Sequence, residues 1–272
     1  MSQTPADDRA RRRAGLTLLG IIVAVAVLIG ALTAVVIAHY TTSPASVPGT
    51  SRGTAPAPPT TSDEGSAVAA QNALATRPML QLPAQAAQPQ VMATQTAGPA
   101  TTLPQPTLTA GRWIPGGFPA TAEGALAQLT ALNETGMTGG DPLVYARAYR
   151  ELSLPGAPDP GSTGLSSVLT SFRSHAGLAD TGTVPDLGVT YQITHGLLKG
   201  STDAGRYTVV CVLGQLSVGY QGRTISAGVG DCQAMRWTGT DWRISPGALA
   251  APASSAWPGS ADAVKAGYRG LN

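Results

Sequence analysis

The chain predicts an α+β domain, N-terminal helices packed on an antiparallel sheet, carried behind one transmembrane helix and a disordered Pro-rich tether. Three observations point there. An uncharged apolar run fills 16–38, leucines recur at helical spacing after residue 121, and beyond Pro185 the pattern changes to strand alternation.

The anchor comes first. No charged side chain lies between Arg13 and His39, and the run from Leu16 to Ala38 is 23 residues of Leu, Ile, Val, Ala, Gly and two Thr. As a helix it is about 35 Å long, enough to cross a hydrocarbon core of about 30 Å. Arg9, Arg11, Arg12 and Arg13 precede it, whereas the 30 residues after it carry one Lys or Arg, Arg52. That asymmetry keeps the tail, 1–13, in the cytoplasm and sends the remainder across the cell membrane. A cleaved signal peptide is the rival reading. Its apolar stretch is usually about 7–15 residues, and no convincing small-x-small cleavage site follows this longer run. The expectation is a single-pass membrane protein spanning at 14–38, its C-terminal domain extracytoplasmic.

Residues 39–111 read as linker. From Thr41 to Gly111 there are eleven prolines and four charges in 71 residues, with no aromatic side chain. Such composition buries too little apolar surface to offset its conformational entropy. Extended, it would reach on the order of 200 Å. The interruption "GSAVAAQNALATRPML" is read as linker too, a transient helix being the alternative.

Order is expected from Arg112, with the folded domain at 112–250. Trp113, Ile114 and Phe118 are the first bulky apolar side chains after the tether. Thr121 is the cap of a first helix in which Leu126, Leu129 and Leu132 share a face, ended by Gly139-Gly140. Asp141 caps a second, with Pro142 at its first position, and "STGLSSVLTSFRSHAG" reads as a third. Strands follow in "GVTYQITHGLLKG", "GRYTVVCVLGQLSVGY", "RTISAGVGDCQAMRW" and "DWRIS". Residues 251–272 read as a C-terminal extension with a short helix in "SADAVKAGYRGL".

The only two cysteines, Cys211 and Cys232, flank a Gln221-Gly222 turn. With that turn closing a two-residue hairpin, Tyr220 faces Arg223 and every pair sums to 443, as Cys211 and Cys232 do. They then form a non-hydrogen-bonded pair, whose spacing suits a disulfide. Outside the cytoplasm such a pair oxidises. A bulge at Gly228 or Gly230 would shift the register by one. The alternatives are a metal site, for which no neighbouring ligands are evident, and a reactive thiol.

Evidence for other chemistry is thin. No nucleophile elbow, phosphate loop or zinc-helix signature is present, so no catalytic, cofactor or metal residue is assigned. His39 falls at the outer membrane boundary and His175 near a helix end; His195, in the first strand, reads as a satisfied or exposed side chain. Asp231 falls opposite Val212 and reads as a turn or edge carboxylate, a pocket position being the sharper alternative. An enzyme would use His195, Asp231 and Tyr191, and nothing in the sequence places them together. From Arg112 onward eleven basic side chains balance eleven acidic ones, which argues against direct nucleic-acid binding. Trp237 and Trp242 read as sheet packing around "TGTD".

The order of anchor, Pro-rich tether, three helices, long hairpin and "MRW…DWRI" ending resembles the nuclear-transport-factor-2-like fold, a cone of helices wrapped by a curved antiparallel sheet. Over residues 112–245, with "GGFPATAEGALAQLTALNE" at the first helix, it is similar to bitopic subunits of type IV secretion and Gram-positive conjugation machines. Fifteen Arg against two Lys fit an actinobacterial source. The resemblance implies a non-catalytic, membrane-anchored scaffold of a cell-envelope transfer machine, meeting other membrane subunits and forming homo-oligomers. The alternative is an envelope-anchored binding module whose cone holds a lipid or small hydrophobic ligand.

Overall fold

The computed structural model describes residues 62–272; the expected cytosolic tail, transmembrane helix and linker up to residue 61 lie outside the described residues. Among the described residues no helix is long and apolar enough to cross a membrane. The architecture is α+β, with an open, curved sheet of five antiparallel strands.

The three expected helices are present, the first two with their expected caps. In α2 (Ala122–Met137) the Thr121 hydroxyl accepts the Gly124 N–H at 3.1 Å. Asp141 accepts the Leu143 N–H at 2.9 Å to open α3 (Pro142–Glu151), and Thr163 caps α4 (Gly164–His175) through Ser166 N at 3.2 Å. Each cap satisfies an N–H that the first turn leaves without a partner. The helices bury Leu126, Leu129, Leu132, Tyr145, Tyr149 and Leu169 against the sheet.

The sheet is built on β1 (Gly188–Thr202), β2 (Tyr207–Tyr220) and β3 (Arg223–Trp237), edged by β4 (Trp242–Ile244) and β5 (Arg269–Gly270), in the order β4-β3-β2-β1-β5. Gln221 and Gly222 take φ of 50° and 74°, the positive values a two-residue type I′ turn requires. From Tyr220↔Arg223 to Tyr207↔Arg236 the β2–β3 register never slips, so Cys211 faces Cys232. Gly228 and Gly230 are therefore not bulges. The irregularities lie in β1, between Ile193 and His195 and between Leu198 and Gly200, where an extra residue bends a strand.

The two glycines serve a different purpose. A Cβ on Gly228 would overlap the Ala256 carbonyl, and one on Gly230 would lie 2.5 Å from the Ser254 carbonyl oxygen. The segment 251–257 is a strap laid directly on the strand, and only bare backbone lets it so close. It leads into α5 (Ala261–Lys265) and β5.

The folded body is wider than the expected 112–250. Within the stretch read as disordered linker, Ser62–Thr76 forms α1, and Leu74, Met79 and Leu82 lie on the sheet's second face, whereas Leu103 packs against the inner core. Lys199 Nζ donates to the Ala75 carbonyl at 2.9 Å, Tyr207 Oη to the Gln71 carbonyl at 3.1 Å, and Ser254 Oγ to the Leu80 carbonyl at 2.6 Å. Trp257 N bonds Ala86 O at 2.6 Å, and residues 101 to 103 run beside the C-terminal residues. Six prolines between 62 and 111 bring no N–H to satisfy, and the contacts above anchor the segment at intervals.

Two apolar cores result. The inner one joins the helices to Val189, Tyr191, Val210, Val212, Met235 and Trp242. The outer one sets Tyr207, Val209, Cys211, Leu213 and Cys232 against Ala75, Ala256, Ala263 and Tyr268.

Candidate functional site

The inner face of β3 carries Val229, Asp231, Gln233 and Met235 in alternation, two polar side chains amid apolar ones. Asp231 is neither a turn nor an edge carboxylate but is buried at 4% exposure, opposite Val212 as its register requires. Its partners are amides. Asn133 Nδ2 of α2 donates to it at 2.9 Å, and Gln233 Nε2 reaches its two oxygens at 3.1 and 3.2 Å. Gln233 in turn accepts from the Tyr149 hydroxyl at 3.3 Å, so α2, α3 and β3 meet in one polar chain. Among the described residues no Lys or Arg pairs with Asp231.

A carboxyl removed from water without a cation prefers its neutral form. Burial pushes Asp231 up to about 6, and the donors Asn133 and Gln233 only partly oppose that. Tyr145, Tyr149 and Tyr191 are raised chiefly by burial and then by the Asp231 charge. The group can exchange a proton near neutral pH and anchors α2 to the sheet through hydrogen bonds.

The expected trio of side chains is not assembled. Tyr191 shares the inner face, donating its hydroxyl to the Val229 carbonyl at 2.7 Å. After the β1 irregularity, His195 pairs with Leu213, one of the outer-core side chains, and so stands on the opposite side of the sheet from Asp231. Its Nδ1 lies 2.9 Å from the Thr194 hydroxyl, and burial lowers its pKa. His175 sits exposed at the end of α4, Nδ1 2.7 Å from the Ser171 carbonyl. Trp237 and Trp242 face each other across β3 and β4 with ring centroids 5.6 Å apart, and Trp242 Nε1 donates to Pro119 O at 2.7 Å.

The cysteine pair is a disulfide, with Cα atoms 4.0 Å apart, buried in the outer core. No free cysteine is present, and among the described residues no cluster of His, Cys, Asp or Glu is grouped to hold a metal ion.

Three further buried polar residues escaped the sequence reading. Asn133 lies on the α2 face that Leu126 and Leu129 begin, and Arg173 continues Leu165 and Leu169 at spacings of four. A polar residue on an apolar stripe was the available signal. Fully buried, Arg173 donates to the carbonyls of Gly140, Ala179 and Gly182 at 2.7, 2.7 and 2.6 Å, fastening the loop after α4. Lys199, from the outer end of β1, holds the last turn of α1; burial first, and then Arg77, push it down to about 8. No family model, curated protein or solved structure matches the chain.

Proposed function

We propose that the chain is a non-catalytic, membrane-anchored scaffold of a cell-envelope transfer machine of the conjugation or type IV secretion kind, working through protein contacts of its extracytoplasmic domain. The observation that carries this reading is where polar and apolar side chains are placed. Asp231, Gln233, Tyr149 and Tyr191 are turned inward onto one another and the backbone, whereas Val68, Leu80, Val91, Met92, Leu108 and Trp113 are exposed. Those are six of the eight exposed large apolar side chains among the described residues and all fall between residues 68 and 113, with Val91 89% and Met92 66% open to solvent; the other two are Leu143 on α3 and Leu198 on β1. Exposed apolar side chains gathered on one segment suit association with another protein. The disulfide supports an oxidising compartment.

Purifying the full chain from membranes after mild cross-linking in cells tests this. The expected result is co-isolation of other membrane subunits, a transfer ATPase among its neighbours. A chain isolated alone and monomeric, or one carrying stoichiometric lipid in place of protein, would overturn the scaffold and in the second case favour the ligand-holding module.

A further inference from the structure

The chain closes much of its own sheet edge. At β4, Leu154 N bonds Ile244 O at 3.0 Å and Ile244 N bonds Leu152 O at 2.8 Å. At β5, Thr101 N bonds Gly270 O at 2.8 Å. On β1 the Ile193 N–H goes to a Glu134 carboxylate oxygen at 2.8 Å, and Thr194 O accepts from Leu271 N at 2.8 Å. On β3 the Gly230 N–H reaches Ser255 Oγ at 3.2 Å, and Ala234 O accepts from Ser245 N at 2.8 Å.

Among the described residues the longest stretch left is on β3, the outward groups of Val189 and Tyr191 on β1 being a shorter one. With Tyr220 and Arg223 closing the turn as a hydrogen-bonded pair, Thr224, Ser226 and Gly228 point their N–H and C=O groups away from β2. Among the described residues nothing pairs with those groups. This edge also lacks the usual deterrents to pairing, which are lysine, proline and bulges. Its register is unbroken, its one charge is Arg223 at the turn, and its remaining side chains through Gly228 are Thr, Ile, Ser and Ala.

We propose that this edge pairs antiparallel with the same edge of a second copy of the chain, about a two-fold axis at Ser226. The stretch complements itself. Ser226 faces its own counterpart, Thr224 faces Gly228, Ile225 faces Ala227, and Arg223 falls opposite Val229, so no charge meets a like charge. The Ser226 pair supplies two hydrogen bonds directly; the two Thr224–Gly228 pairs supply four more once the strap that buries Gly228 shifts aside. The ladder ends at Gly228 because Ser255 already holds Gly230. The pairing rests on the scaffold reading for its purpose and on the sheet edge for its geometry.

The test uses the full chain in membranes and in detergent. Ser226→Cys is expected to give a disulfide-linked dimer on a non-reducing gel, since the native cysteines are already paired. Ser226→Pro deletes an outward N–H unused within the protomer together with the hydroxyl that meets Ser217 Oγ at 2.9 Å and Gln215 Nε2 at 3.2 Å. Its urea midpoint should therefore match that of Ser226→Ala while its dimer Kd rises about tenfold or more above that variant's. A monomeric wild type, an unlinked Ser226→Cys, or a dimer indifferent to Ser226→Pro overturns the proposal. If Ser226→Pro instead strips a different protein and leaves the dimer intact, the edge takes a foreign strand and self-pairing is wrong. Loss of the dimer alone, with membrane subunits still co-isolating in the wild type, is the expected pattern; a wild-type dimer without those subunits sinks the scaffold reading and spares this one.

Discussion

Asp231 is a carboxyl held in the core by amides alone, which gives the domain an unusual dependence on pH. Its folded pKa of about 6 lies above the 3.8 of the unperturbed side chain, so the folded state holds the proton more tightly. Its contribution is greatest below about pH 4, falls across the window from about 4 to 6, and is least above it. At about 1.4 kcal/mol per pH unit the loss amounts to about 3 kcal/mol. Half-buried Glu134, also raised by burial, adds in the same direction. Urea unfolding from pH 4 to 7 should show wild-type stability falling and Asp231→Asn falling by much less. Parallel curves for the two would mean that the buried charge costs nothing. The position of Asp231 opposite Val212 was legible from the register, but its burial was not. A two-residue period identifies which side chains share a face, yet not which face lies beneath the helices.

Helices, hairpin and turn were legible because their signals are local: a capping hydroxyl, a Pro at the first helical position, two residues able to take positive φ. The strap and the N-terminal layer were not, since neither repeats at 3.6 or 2 residues and each is held by scattered contacts. Gly228 records the strap indirectly. Gly228→Ala should cost about 1–3 kcal/mol by lifting 254–257, whereas Gly65→Ala, with nothing within 4 Å of its Cβ on α1, should be neutral or add up to about 1 kcal/mol. Chemical denaturation of the two variants separates them. Equal effects would show that the strap does not press on β3.

Across the molecule, one disulfide-stapled sheet divides two cores, and the outer core is roofed by segments that read as linker and extension. Leu74, Met79 and Leu82 pack over the Cys211–Cys232 side of the sheet. Deleting residues 62–111 should therefore open the bond to solvent. We expect its reduction by dithiothreitol in native buffer to accelerate about tenfold or more, with an accompanying loss of stability because apolar surface is uncovered. An unchanged reduction rate would mean that the strap alone shields it. Replacing both cysteines by serine should cost about 3 kcal/mol for a closure spanning 21 positions, read from the same unfolding curves.

The strip at residues 101 to 103 bonds to the last residues of the chain, Gly270 and Asn272. In chain order helices α1 to α4 and the long hairpin precede 251–272, so they can form before the strap and that clasp are laid over them. Until the strap settles on Gly228 and Gly230 the cysteine-bearing face is only partly roofed, and it is in this interval that an oxidant reaches both thiols most readily.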